Sequence, residues 1–204
     1  MSRAVVIFAR APEVEAAVKR FPSRFAGLFH RNVAAWLRTA SAAGVTPVIS
    51  CASPARFDAI APEIARLYVE QRGATFGERL ASTAEAAFAL GFDEVVITGI
   101  DVTPCLGGVF EALARVDAVV QPADDGGINL IALHAPERAL LASIKPRQRD
   151  VVQRCRAYFA SLVVLDSAPD VDGLAVGSWQ LAVAVVPVLP LRVDEHLIRP
   201  PPAG

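Results

Sequence analysis

The sequence is poor in the residues that most often announce a reaction. It holds three cysteines and three histidines in 204 residues. Cys51, Cys105 and Cys155 are far apart, forming neither a zinc-type pair nor a disulfide framework, which points to a reducing compartment. A helix-start or buried thiol is the expectation for Cys105. His30, His134 and His196 are equally scattered, so no histidine metal site and no Ser-His-Asp triad can be assembled from them. No G-x-G-x-x-G follows the first apolar run, and G-x-x-x-x-G-K-[S/T] is absent, which argues against dinucleotide and P-loop sites.

Excess charge is missing too. Twenty basic against 21 acidic residues leave a formal charge of −1, which gives no electrostatic case for a nucleic-acid partner. Long apolar runs are absent as well. The N-terminal run 4–9 lies between Arg3 and Arg10 and is too short for a signal peptide. No stretch approaches the roughly 18 apolar residues of a membrane span. The expectation is a soluble cytoplasmic protein.

What is present suits one globular domain with a substantial core, since 53% of residues are hydrophobic and 20% charged. Short apolar runs alternate with helix-period segments. "AVVIFA" (4–9), "TPVISC" (46–51), "RLYVEQ" (66–71), "EVVITG" (94–99) and "LVVLDS" (162–167) read as strands. Between the first two, a polar loop is expected to about Pro22. Ser23 then caps a helix carrying Phe25, Leu28, Phe29, Val33, Trp36, Leu37 and Ala40 on one face, closed by Gly44. A short helical piece is expected near 54–65. Thr75 and Glu78 form a capping box opening a helix to about Leu90, stopped by Gly91. Further helices are expected near 106–115 and 148–160.

The runs 117–123 and 128–134 flank "DDGG" and read as an antiparallel pair, with both glycines at positive φ. The order predicts a three-layer α/β/α sandwich with a mixed, mostly parallel sheet. The domain is expected over 1–173. Residues 174–204 form a Pro-rich C-terminal extension, either a terminus covering the sheet or a docking arm for a partner or a second copy in a homodimer.

Ligands of open α/β sheets collect beyond the carboxyl ends of the strands. Asp101 sits at such an end, after "VVITG". On spacing alone it reads as a turn former or helix cap. Two further acidic segments weigh against that. Asp124 and Asp125 are adjacent and repel unless solvated or sharing a cation, and Asp170 and Asp172 follow the last strand. Hard divalent ions take carboxylate and phosphate oxygens together. Arg10, Lys19 and Arg20 lie in the loop after the first strand, where basic groups hold phosphates or simply face water.

The segments "VVIFARAP", "QRGATFGERLASTAEAAFALG", "VVITGIDVTP", "VVQPADDGGINLIAL" and "PDVDG" carry a resemblance in their order and spacing. From about Ala4 to Gly173 the chain resembles a small bacterial family assigned as glycosyltransferases of the GT-A, nucleotide-diphospho-sugar transferase fold. It is more distantly similar to molybdenum-cofactor and phospholactate guanylyltransferases. The resemblance implies a Mg²⁺- or Mn²⁺-dependent transferase acting on a nucleotide or nucleotide-sugar. Asp101 and Asp125 would be the metal-ligating and catalytic acids, assisted by Asp124 and Asp172. Arg10, Lys19, Arg20, Gly99, Gly126, Gly127 and Asn129 would meet the substrate.

The departures are concentrated at the substrate side. Relatives read Gly-Ser-Asp-Cys-Pro where this chain reads Gly99-Ile100-Asp101-Val102-Thr103. Their first loop has a Pro-Gly turn where Val14-Glu15 stand here, and Lys19 is displaced by one position. The tyrosines that follow Asp-Gly-Gly are missing, and "KPRQRD" (145–150) replaces a Trp-[Ser/Gly]-Thr segment. Sugar transfer, nucleotidyl transfer and a non-catalytic binding role therefore all remain open at this point.

Overall fold

The computed structural model describes residues 1–146 and 148–169. The expected boundary near Gly173, Asp170, Asp172, His196 and the Pro-rich extension lie outside the described residues.

Seven strands form one sheet: β1 (Arg3–Phe8), β2 (Thr46–Cys51), β3 (Leu67–Glu70), β4 (Glu94–Gly99), β5 (Ala118–Pro122), β6 (Ile128–Leu133) and β7 (Leu162–Val164). Their spatial order is β3-β2-β1-β4-β6-β5-β7. Only β6, among the described strands, runs against the others, pairing antiparallel with both β4 and β5. The sheet is mixed and mostly parallel, as the sequence predicts.

Strand alternation divides the core into two layers. Val5, Ile7, Ile49 and Val96 point to one face, where they meet α2 (Ala26–Ala42) and α4 (Val109–Leu113). Ala4, Val6, Val48, Val95 and Ile97 point to the other. There they meet α3 (Phe76–Ala89), α5 (Arg138–Ser143) and α6 (Val151–Tyr158). Because both faces are covered, the central strands carry no polar alternation.

Local signals hold where they are self-contained. Thr75 accepts from the Glu78 N–H while Glu78 accepts from the Thr75 N–H, completing the capping box. Gly44 and Gly91 leave the two long helices in the left-handed conformation.

Elsewhere the structure corrects the reading. The loop after β1 contains a seven-residue helix, α1 (Pro12–Val18), opened by Pro12, whose missing N–H is tolerated in a first turn. Ser23 does not cap α2, because it opens a 3₁₀ turn, Ser23–Phe25, ahead of that helix. The piece near 54–65 is only a 3₁₀ turn at Pro54–Arg56 followed by bends. α4 and α6 are shorter than expected, and α5 was not expected at all. Cys105 is exposed in the loop before α4, neither buried nor at a helix start, whereas Cys51 and Cys155 are buried. No helix of the described residues is long and apolar enough to cross a membrane.

Candidate active site

After β1 the chain passes to β2 on one side, while β4 pairs with the other side of β1. That divergence opens a crevice at the carboxyl ends of β1 and β4, where open α/β sheets hold ligands. A cleft of ≈ 430 Å³ occupies this position, bounded further by β6, the start of α3 and the segment 144–146.

Asp101 enters it from β4. Gly99 and Phe8 are paired neighbours across the β4–β1 ladder, so Asp101 comes out beside the start of the first loop. The carboxylate turns back over Gly99, whose side-chain position would be filled by Asp101 Oδ1 if a Cβ were present. Glycine leaves that room, and a Cβ there would oblige the Asp101 carboxylate to move.

The backbone on either side of Asp101 is pinned from α2. Asn32, only 4% exposed, donates its amide to the carbonyls of Ile100 and Val102, and Trp36 Nε1 donates to Val102 at 2.9 Å. Ile100 and Val102 are themselves buried, which fixes the loop by packing as well.

The first loop faces Asp101. Lys19 Nζ lies 2.5 Å from Asp101 Oδ2. One turn earlier on α1, Glu15 is 7% exposed and accepts from Arg10 Nη1 at 3.0 Å. Burial pushes the Glu15 carboxyl above its ordinary 4.5, and the negative charge of Asp101 pushes the same way. Arg10 pulls against both. An acid protonated more readily folded than unfolded contributes stability at low pH that is lost as pH rises through its raised value. Urea unfolding should therefore show wild type losing stability relative to Glu15→Gln as pH climbs from about 4.5 toward neutrality. A difference that stays flat across that range would mean that Glu15 titrates as a solvated acid.

Asp125 reaches the cleft from the β5–β6 turn. Its Oδ1 accepts from the Gly127 N–H at 2.8 Å, an Asx-type turn, so the bland reading of this residue is realised alongside its place in the cleft. Only Gly126 of the two glycines has positive φ, at 92°, and a Cβ there would press on Arg149. Asn129 lines the cleft, but its amide is committed to the Ala168 carbonyl at 2.7 Å, tying the end of the described chain to β6.

The structure thus gathers Arg10, Lys19, Gly99, Asp101, Asp125, Gly127 and Asn129 into one cleft. Arg20, Asp124 and Gly126 do not line it. Arg20 takes a left-handed φ of 59° where the chain turns Phe21 into the core against Phe29, and its own side chain is exposed. Three lining residues escaped the sequence reading. Gln71 donates to the carbonyls of Ala9 and Ser50, bridging the ends of β1 and β2, and Arg79 and Lys145 add positive charge. Gln71 and Arg79 fall within the quoted segment "QRGATFGER", which was the available signal. Arg10, Lys19, Arg79 and Lys145 then stand against Glu15, Asp101 and Asp125, a mixed field suited to an anion whose charge is bridged.

Among the described residues no group of three or more His, Cys, Asp or Glu side chains could hold a metal ion. Three carboxylates line the cleft, Glu15, Asp101 and Asp125, each with one oxygen already engaged within the chain. This set fits a hard ion that completes its shell with phosphate oxygens and water, as Mg²⁺ does, and does not fit a cage made of protein alone.

A family model described as an uncharacterized protein conserved in bacteria (DUF2064) matches residues 36–146. Among solved structures the chain is similar to a Desulfovibrio desulfuricans G20 protein described as a "putative nucleotide-diphospho-sugar transferase". That match has 24% identity and a TM-score of 0.69, covering 84% of this chain and 83% of the other. It is also similar to Rv0371c of Mycobacterium tuberculosis H37Rv, solved with manganese, at 14% identity and a TM-score of 0.52 over 91% and 100% of the chains. A third similar structure is CMP:2-keto-3-deoxy-manno-octonic acid synthetase complexed with CTP, at 12% identity and a TM-score of 0.51 over 90% and 98%. No protein of curated function matches the sequence. The chain has the nucleotide-diphospho-sugar transferase fold.

Proposed function

The chain belongs to DUF2064, a family described as uncharacterized proteins conserved in bacteria, and we propose that it is a divalent-metal-dependent transferase acting on a nucleotide-activated donor. The observation that carries this reading is the meeting of Asp101 with Lys19 at the β1/β4 switch point, in the cleft that Asp125 also lines. The manganese and CTP bound to two proteins of similar fold support it.

Arg10, Lys19, Arg79 and Lys145 would hold the donor's phosphates, Lys19 as a compact point charge and the arginines as planar forks. Asp101 and Asp125 would hold the cation, with Asp172 completing the acidic set. Mg²⁺ or Mn²⁺, when bound, would neutralise charge developing on the leaving phosphate. Gly99 leaves space for the carboxylate, while Asn32 and Trp36 fix the backbone beside it. Apolar Ile100 and Val102 keep that backbone dry, which strengthens every charge interaction around it. In this reading residues 1–173 form the transferase domain.

A thermal-shift panel of nucleoside diphosphates, triphosphates and nucleotide sugars, with and without Mn²⁺, tests the proposal. One ligand at a hundred times its Kd should add about 2.7 kcal/mol of stability, a rise of several degrees. No shift with any member, at millimolar concentration, would contradict it. Products then separate the two chemistries. Free nucleoside diphosphate marks sugar transfer, and pyrophosphate marks nucleotidyl transfer.

A further inference from the structure

The acids and bases at the ends of β1 and β4 line only part of the cleft. The wall supplied by α3, β6 and the end of α5 is hydrocarbon. Leu80, Ile131 and Ile144 line it, each at most 4% exposed, together with half-buried Phe8, Phe76 and Ile128. Phe8 and Phe76 meet edge to face at 5.5 Å. All six belong to, or pack against, the core layer between the sheet and α3, so the cleft borders that layer directly.

The uncharged polar groups of the lining offer a neutral ligand little. There are three, Gln71, Thr98 and Asn129. Each donates to the chain itself: Gln71 to the carbonyls of Ala9 and Ser50, Thr98 to that of Asn129, and Asn129 to that of Ala168. A sugar carries a hydroxyl on nearly every carbon, and a hydroxyl pressed on hydrocarbon without a partner costs free energy. A hydrocarbon body gains from the same contact.

Positive charge borders this wall. Arg79 lies one turn beyond Phe76 on α3, and Lys145 follows Ile144 where α5 ends. The two helices touch there, since a Cβ on Gly77 would collide with the Ala142 carbonyl. On the α1 side, Arg10 and Lys19 already face Glu15 and Asp101. Among the described residues Arg79 and Lys145 have no such acid, and Arg79 spends one N–H on the Ala74 carbonyl.

We propose that the cleft takes an organic phosphate with a hydrocarbon body. Arg79 and Lys145 hold the phosphate, and its alkyl or aryl body lies on Phe8, Phe76 and Ile128. A few placed charges then fix orientation while the apolar wall supplies contact area. The proposal rests on reading the cleft as a phosphate site and narrows it, because the group carried beside those cations is not a sugar.

The test uses the full chain with Mg²⁺ present, and inorganic phosphate, hexyl phosphate and glucose 1-phosphate as calorimetric probes. The three share a head and differ in body, and hexyl phosphate is kept below the concentration at which it aggregates. Hexyl phosphate should bind at least about tenfold more tightly than inorganic phosphate, a factor that two buried methylenes suffice to give. Its binding should also show the more negative heat-capacity change. Glucose 1-phosphate should bind no more tightly than inorganic phosphate. Arg79→Gln should weaken inorganic phosphate and hexyl phosphate by the same factor. Phe76→Gln and Ile128→Gln should each cut the hexyl advantage at least about threefold. The comparison of ligands on wild type decides even where a variant fails to fold.

Hexyl phosphate that binds no more tightly than inorganic phosphate, or less tightly than glucose 1-phosphate, overturns the hydrocarbon body and leaves the phosphate site standing. A hexyl advantage unchanged in both Phe76→Gln and Ile128→Gln places the body elsewhere and overturns it too. Failure of all three probes and of pyrophosphate to bind overturns the phosphate reading, and this proposal with it.

Discussion

Asp101→Asn is expected to lower Mn²⁺ affinity at least about a hundredfold and to remove the Mn²⁺-dependent part of nucleotide stabilisation. The substitution keeps the shape and an acceptor oxygen for Lys19, so the fold should persist. It removes the charge that a divalent ion would bind. Some loss of stability is expected, because the Lys19–Asp101 pair is mostly buried. The cost should be about 1–3 kcal/mol once residual solvent screening is allowed for. Isothermal Mn²⁺ titration and urea unfolding of the same preparation separate the two effects. Mn²⁺ binding that survives in a folded Asp101→Asn protein would place the ion elsewhere.

Asn32→Leu is the second large effect, and it acts on the fold first. Asn32 is a buried amide on the apolar face of α2, where the 3–4 spacing calls for a hydrocarbon. Leucine satisfies that spacing but strands the Ile100 carbonyl in the core, while Val102 keeps its bond from Trp36. An unpaired buried carbonyl costs about 1–3 kcal/mol, and loss of the second bond brings the total to roughly 2–4. Because those carbonyls flank Asp101, ligand binding should weaken beyond what the stability loss explains. Asn32→Leu unfolding at the wild-type urea midpoint would show that the pair of bonds contributes nothing.

The sheet was legible because its central strands are buried on both faces, so "AVVIFA" is continuously apolar and "EVVITG" keeps an apolar centre at Val95, Val96 and Ile97. The capping box of α3 was legible because both partners lie within four residues. Helix α1 was not, since its seven residues offer only a few buried positions and α2 supplies their packing. α5 was missed because it opens after Glu137 at φ 36° with no side-chain cap. At the site, strand ends marked Asp101, and adjacency of like charges marked Asp125. The Lys19–Asp101 pair spans 82 positions, and no local pattern encodes it. Arg79 and Lys145 face the cleft only through the docking of α3 and α5, where Gly77 lets the two backbones nearly touch. Asn32 carried no signal in the sequence, because its role depends on the Ile100 and Val102 carbonyls some 70 positions away.

Diffraction from crystals soaked with Mn²⁺ and a nucleoside diphosphate, recorded for the anomalous signal of manganese, tests the central claim most directly. The account predicts one manganese peak at about 2.1 Å from an Asp101 oxygen. Phosphate oxygens should complete its shell, with Lys19 and Arg10 beside the diphosphate. Nucleotide bound in the cleft with no manganese beside Asp101, or manganese bound outside the β1/β4 cleft, would contradict it.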